Sequence, residues 1–473
     1  MKGFAVTIQN LLKQPGVDYG DVRVVHIVEE NIVIKNGKIE DIRREENLGF
    51  GIRVMINGAW GFASSSNLTI VSADKAIKNA VAAAKAASLT GIKTEFHKEE
   101  AYIEKYVAPF EKDPFHIGVE EKIKLLLKLD ELLKDKHVIK RHSHLNFKRL
   151  HQVFASTEGS VIEQEFIDSG GGISVITMKN GEIQTRSFSN YGRRGFEFIE
   201  ELDLVQKAQQ IKEQGIQLLY APLCPEGTMD VILDTDQMAL QIHESIGHAL
   251  ELDRVLGYEA SYAGTSFATL DKLDSFQYGS EIMNVYQDTT YPGGLGTFAF
   301  DDEGVRAKKE VLIQEGILRG YLSSRDTAPH IGRKSSGASR AQDWSRIPIV
   351  RMTNINLEPG VSSLEEMIQE TKEGIFLQTN KSWSIDDKRL NFQFGTEIGW
   401  LIKNGKIKGL CKNPVYTGIT PQFWRSLVKI GNRNEFKMWG ILNCGKGEPG
   451  QTMRVGHGSP PCKFKNIKVF PGK

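Results

Sequence analysis

Asn36-Gly37, Asn57-Gly58 and Asn404-Gly405 each stand between β-forming residues, and this dipeptide takes positive φ at both positions more readily than any other, folding one strand back on the next. Glu315-Gly316 repeats the signal in weaker form. The chain is therefore committed to antiparallel hairpins near both ends, and helices must be fitted around them. Ala76, Ala80, Ala83, Ala84 and Ala87 predict one helix, Ile123, Leu126, Leu129, Leu132 and Leu133 a second within residues 120–136, and residues 204–219 a third. Residues 98–118, with two prolines and mixed charge, read as a linker. At Ala221-Pro222-Leu223-Cys224-Pro225-Glu226-Gly227 the pattern breaks, and glycines with short β-like runs follow. The expected class is α+β, with two domains in 473 residues. Residues 1–224 read as an N-terminal α/β domain of hairpins and helices. Residues 225–473 read as a domain dominated by a large antiparallel sheet or partly closed barrel.

Charge excludes some partners. Lys plus Arg number 60 and Asp plus Glu 59, a net +1, so no bulk field draws nucleic acid or an anionic membrane. Residues 1–13 lack the apolar run of a signal peptide, nothing later approaches a membrane span, and the reading is cytoplasmic. Cys224, Cys411, Cys444 and Cys462 form no CxxC pair and no disulfide framework.

One segment carries chemistry. After the probable strand Val231-Ile232-Leu233, residues 236–252 read as a helix with Met238, Ile242, Ile246 and Leu250 on one face and Thr235 or Asp236 as its cap. Inside lies His243-Glu244-Ser245-Ile246-Gly247-His248, HExxxH in place of the commoner HExxH. In an α-helix, residues five apart lie about 140° from each other around the axis, against about 40° for four apart. For both imidazoles to bind one zinc, the turn must hold an extra residue, as a π-bulge does, and Gly247 eases that distortion. His243 and His248 are then metal ligands and Glu244 the general base that activates a zinc-bound water. A catalytic zinc needs a third protein ligand. Glu251, Asp253 and the distant Cys444 all qualify by donor type.

Together, His243–Glu251, Gly294-Leu295-Gly296-Thr297-Phe298-Ala299-Phe300-Asp301-Asp302-Glu303-Gly304, Arg351-Met352-Thr353-Asn354 and Cys444-Gly445-Lys446 resemble the TldD/PmbA (TldD/TldE) family, and within it the TldD subunit. Leu48-Gly49-Phe50-Gly51-Ile52-Arg53-Val54 and Gly61-Phe62-Ala63 extend the likeness toward the N-terminus. The resemblance implies a zinc metallopeptidase acting on unfolded peptides, with His243, His248 and Cys444 holding Zn2+ and Glu244 as catalytic acid/base. It also implies a dimer enclosing its active site, either with itself or with a PmbA/TldE-like subunit that lacks the metal motif. Members have been described as modulators of DNA gyrase and as maturing small peptide antibiotics, roles on which this sequence is silent. Two other readings stay open: an HExxxH exopeptidase of the dipeptidyl peptidase III kind with a carboxylate third ligand, and a non-catalytic binding or regulatory protein.

The remaining motifs are weaker. Asp301-Asp302-Glu303-Gly304 reads as a turn. Ser323-Ser324-Arg325 and Ser335-Ser336-Gly337-Ala338-Ser339-Arg340 read as polar loops, either solvated or in contact with a peptide backbone or carboxylate terminus. Gly445-x-Gly447-x-x-Gly450 precedes no helix and implies no dinucleotide site. His142-Ser143-His144 alternates like a strand, and Cys462 reads as a packing or exposed residue near the tail.

Overall fold

The computed structural model describes residues 1–472 and is mixed α+β. Its first sheet centres on the strand Tyr19–Lys35, flanked by Lys38–Ile56 and Val138–Ser156. Ala59–Ser65 adds on one side, and Val161–Lys179 followed by Glu182–Gly192 on the other. The expected hairpins form where expected, with Asn36, Asn57, Asn404 and Glu315 all at φ of 50–52° and each followed by a glycine of positive φ. Residues 98–118 are not a bare linker. Ile103–Val107 inserts there as a strand parallel to Val161–Lys179.

The N-terminal layer differs from an α/β arrangement. Apart from Ile103–Val107 the pairings are antiparallel. The helices Lys2–Leu12 and Ile70–Ser88 cover one end of the sheet, where Ile8, Ala76 and Ala80 pack on Val24, Phe50 and Val54. Val119–Leu132 and Leu204–Leu218 cover the other end through Leu126, Leu129, Ala208 and Ile211. Gly61 makes the helix contact close: a Cβ there would lie 1.9 Å from the Ala80 carbonyl oxygen.

The second half is built on two mixed sheets in place of one large antiparallel sheet, and the second of them is the partly closed barrel that was the other expectation. One is six-stranded and ends on Gln451–Ser459 and the edge strand Lys437–Lys446, with Asn354–Leu357 parallel to Gln451–Ser459. The other holds seven strands, and part of it closes on itself because Glu373–Ile385 pairs with both Gly227–Leu233 and Asn391–Lys403. A barrel closed in this way has no exposed edges to protect. A single apolar cluster joins both sheets, from Val231, Leu233 and Phe464 to Val285, Ile355 and Val455. Ile242, Ile246 and Leu250, on the segment that carries HExxxH, lie in that cluster.

The bare face of the first sheet looks toward the second half, and buried ions tie the two. Arg53 binds Asp21 at 2.6 Å and Glu303 at 2.8 Å, and Arg325 reaches Glu158 at 2.7 Å. Asp301–Gly304 is a turn, as expected, but a buried one: the Asp301 carboxylate accepts from the backbone N–H of Glu303 and Val305, both at 2.9 Å. The serines of 335–340 are not solvated. Ser335, Ser336, Ser339 and Arg340 are buried, with Ser336 Oγ donating to Gln287 at 3.0 Å. Cys462 is buried too. Among the described residues no helix is long and apolar enough to cross a membrane.

His142 and His144 lie beside one another on Val138–Ser156 with ring centroids 5.4 Å apart, and His144 Nε2 is 2.6 Å from the Tyr191 hydroxyl. Burial, assisted by His142, lowers the His144 imidazole to about 4, against about 6.5 in an unfolded chain. Between those values the unfolded state binds the extra proton. The stability carried by neutral His144 is therefore complete above pH 6.5 and lost as the pH falls toward 4, a change of at most roughly 3 kcal/mol. Chemical denaturation at pH 7 and pH 4 should show the stability gap between wild type and His144→Asn closing by that order. A gap unchanged with pH refutes the assignment.

Candidate metal centre

The strand Gly227–Leu233 leads into the helix Thr235–Ile242, whose cap is Asp234, one residue before the positions expected. Its carboxylate accepts from the Thr235 N–H at 2.8 Å. From His243 to Gly247 the helix widens into a π turn, closed by the His248 N–H donating to the His243 carbonyl, and His248–Leu250 follows as a 3₁₀ turn. The extra residue turns the two imidazoles toward each other, with ring centroids 4.9 Å apart. Side chains hold the widened turn. Ser245 Oγ donates to the Gln241 carbonyl at 2.6 Å and accepts from the buried Trp424 indole at 2.9 Å, while the Tyr278 hydroxyl donates to the Ser245 carbonyl. Gly247 has ordinary helical dihedrals, φ −53° and ψ −65°, so backbone freedom is not why glycine stands there. A Cβ would lie 2.0 Å from the Met352 sulfur.

The third donor arrives from far along the chain. Cys444, on the edge strand Lys437–Lys446, has its Sγ 3.5 Å from His248 Nε2. One ligand atom each from His243, His248 and Cys444 lie within 4.8 Å of one another, and all three residues are buried. A register irregularity between Ile441 and Cys444 sets the strand here, and the Arg351 guanidinium donates to the Cys444 carbonyl.

Each imidazole has its other nitrogen occupied. His248 Nδ1 donates to Glu251 at 2.8 Å, and His243 Nδ1 lies 2.7 Å from Nε2 of the buried His457. With Nδ1 protonated in both rings, Nε2 of each keeps a free lone pair, and that of His248 faces the thiol at 3.5 Å, the arrangement that outer hydrogen bonds impose on metal-binding histidines. Burial lowers the His243 pKa and keeps that ring neutral. Burial alone would raise the Cys444 thiol, but His248 and Arg351 beside it bring it below its ordinary value. Two imidazoles and a thiol disposed to ionise are a donor set that fits a metal ion.

The other two carboxylates that qualified by donor type stand elsewhere. Glu251 is engaged behind His248, with Lys446 Nζ at 3.4 Å, and Asp253 accepts from that same Nζ at 2.5 Å. Glu244, beside His243 in the turn, is paired with Arg389 at 2.6 Å. Arg389 sits at φ 61° in the turn between Glu373–Ile385 and Asn391–Lys403, a turn pinned where Arg254 donates to the Asp387 carbonyl at 3.0 Å. Neither Arg389 nor His457 carries a local motif, so only the fold could reveal them.

Next to this centre, a cavity of about 510 Å³ separates the bare face of the first sheet from the second half. Glu29, Lys148 and Asp168 line it from the sheet, and Arg340, Met453 and Arg454 from the other side, where Met453 is the residue paired across from Cys444.

Family models described as PmbA/TldA metallopeptidase domain 1, central domain and C-terminal domain match residues 20–88, 112–219 and 226–470. A metalloprotease of Methanocaldococcus jannaschii is 32% identical over 451 residues, covering 93% of this chain and 94% of its own. The chain belongs to the TldD/PmbA metalloprotease family. A protein named zinc metalloprotease TldD homolog, from Saccharolobus solfataricus, is 24% identical over 96% of this chain and 97% of its own. TldE from Thermococcus kodakarensis shares the fold, with a TM-score of 0.73 at 19% identity over 98% of this chain and 99% of that one.

If Cys444 is a ligand, Cys444→Ser should lose most of the bound metal when the purified protein is assayed by elemental analysis. Glu251→Gln should weaken metal affinity by roughly 10–100-fold through His248. Full metal content in Cys444→Ser refutes the thiolate.

Proposed function

We propose that the chain is the catalytic, TldD-type member of its family: a zinc-dependent peptidase that hydrolyses unfolded peptides, with His243, His248 and Cys444 as ligands and Glu244 as acid/base. The observation that carries this reading is the convergence of two imidazoles and a thiol within 4.8 Å beside a glutamate. Zinc bound there supplies Lewis-acid polarisation of the scissile carbonyl and a water of lowered pKa.

The protein's own groups do the rest. Glu244 takes the proton of the attacking water and hands it to the leaving amine. Arg389, 2.6 Å from that carboxylate, holds it in one orientation. An extended peptide adds to the edge strand Lys437–Lys446 beyond Gly440, since Asn190 already takes the main-chain groups of Met438 and Gly440, and main-chain hydrogen bonds make that binding tolerant of sequence. Access only for unfolded chains follows if the site opens into an enclosed space. The proposed assembly is a homodimer or a heterodimer with a PmbA/TldE-like subunit, supported by the fold shared with TldE. A carboxylate third ligand is disfavoured, since Glu251 already binds His248 and lies by Lys446.

Mass spectrometry of an unstructured peptide mixture tests the reading. Glu244→Gln should retain metal and lose cleavage by roughly 10²–10⁴-fold. Arg389→Gln, with metal also retained, should lose roughly 10–100-fold in kcat through misorientation of Glu244. Cleavage by Glu244→Gln at the wild-type rate would sink the assignment, and a metal-loaded wild type inactive in every pairing would favour a binding protein.

A further inference from the structure

One open edge of the first sheet is the N-terminal half of Lys38–Ile56. It is bonded on its inner side to Tyr19–Lys35, whereas its outer neighbour Ala59–Ser65 pairs only with Phe50–Ile56. Among the described residues nothing pairs with the outer side of 39–48, and all of these but Asp41 are exposed. Proteins usually blunt such an edge, often with like charges that repel a second strand. Here the charges reverse sign about one apolar residue: Glu40-Asp41-Ile42-Arg43-Arg44.

We infer that this edge joins two copies of the chain, antiparallel, with the two-fold axis through Ile42. In that register Ile42 faces its own copy, Asp41 faces Arg43 and Glu40 faces Arg44, each twice. A shift that sets Ile42 against Arg43 puts Glu40 opposite Glu45, and a shift the other way spends Ile42 on Asp41. The charge order thus selects one register, and it is the one that a two-fold, self-complementary interface requires.

Packing points the same way. Ile42 is 46% exposed yet lies across from Ile32, which is buried in the cluster with Leu126 and Leu129. A second Ile42 extends that apolar layer from one copy into the other. Arg43 has only loose partners to give up, Asp41 at 3.8 Å and Glu45 at 3.4 Å, while Glu40 and Asp41 keep one oxygen each on Lys35 at 2.5 Å and Asn31 at 3.1 Å within their own sheet and turn the other to the second copy. The bulge opposite Val33 and Ile34 bends the strand near Glu40 and keeps the pairing short. Glu45 and Asn47 line the 510 Å³ cavity, so the partner strand lengthens the cavity wall.

This inference rests on the dimer reading above and names its surface. Oxidation of Ile42→Cys should give a disulfide-linked dimer, because directly opposed residues of antiparallel strands meet the Cα spacing of a disulfide. Glu45→Cys, which faces Ile39, should give none, and the four native cysteines are buried. In sedimentation, Asp41→Arg and Arg43→Asp should each weaken dimerisation at least tenfold, and the double exchange should restore it. A dimer that neither cross-links at residue 42 nor responds to the charge changes overturns this surface while leaving the dimer standing. A chain monomeric at every concentration, or dimeric only with a PmbA/TldE-like subunit, overturns the homodimer as well.

Discussion

The hydrogen bond from the His248 N–H to the His243 carbonyl, one residue longer in reach than an α-helical bond, is what the candidate metal centre depends on. Without it, two imidazoles five residues apart would point to different sides of the helix. A widened turn is unfavourable on its own, and this one persists because its surroundings determine it. Trp424, Tyr278 and Gln241 fasten Ser245, and Met352 fills the space over Gly247. The same packing buries three donors whose polar atoms would be costly without partners. Glu251 and His457 satisfy the outer nitrogens and leave the inner ones free for a metal.

Around the turn, the architecture serves convergence. The segment carrying HExxxH leaves the barrel through Gly227–Leu233, and Cys444 comes from the edge of the other sheet, so the candidate ligands meet where the two sheets share one apolar cluster. Arg389 enters from a third place, a barrel hairpin, to hold Glu244. The first sheet contributes none of these three donors. Its bare face, joined to the second half by Arg53 and Arg325, forms one wall of the cavity beside the centre.

Local signals were legible wherever one or two residues dictate the backbone. The hairpins at Asn36, Asn57, Glu315 and Asn404 are of this kind, and so are the main helices, whose apolar periodicity marks a buried face. Non-local pairing was not legible. Ile103–Val107 finds its partner some sixty residues away and looked like a linker, since its own residues are largely exposed. A partly closed barrel was one expectation, but which strands close it, and the parallel pairs, depend on long connections that leave no short-range mark. Ser335–Arg340 looked solvated because polar residues usually are, yet buried partners such as Gln287 satisfy them.

The sequence by itself determined the spacing of His243, Glu244 and His248, and with it the need for a distorted turn, because helix geometry allows five-apart ligands no other way to meet. It also contained the likeness that singled out Cys444. Donor chemistry alone left Glu251, Asp253 and Cys444 equal, and only the tertiary structure separated them. Sheet register brings Cys444 to 3.5 Å from the free nitrogen of His248, while three residues of local chain carry Glu251 to the opposite side of the same ring. Which donor faces which nitrogen is a matter of position in space, and that is set by packing between residues nearly two hundred apart.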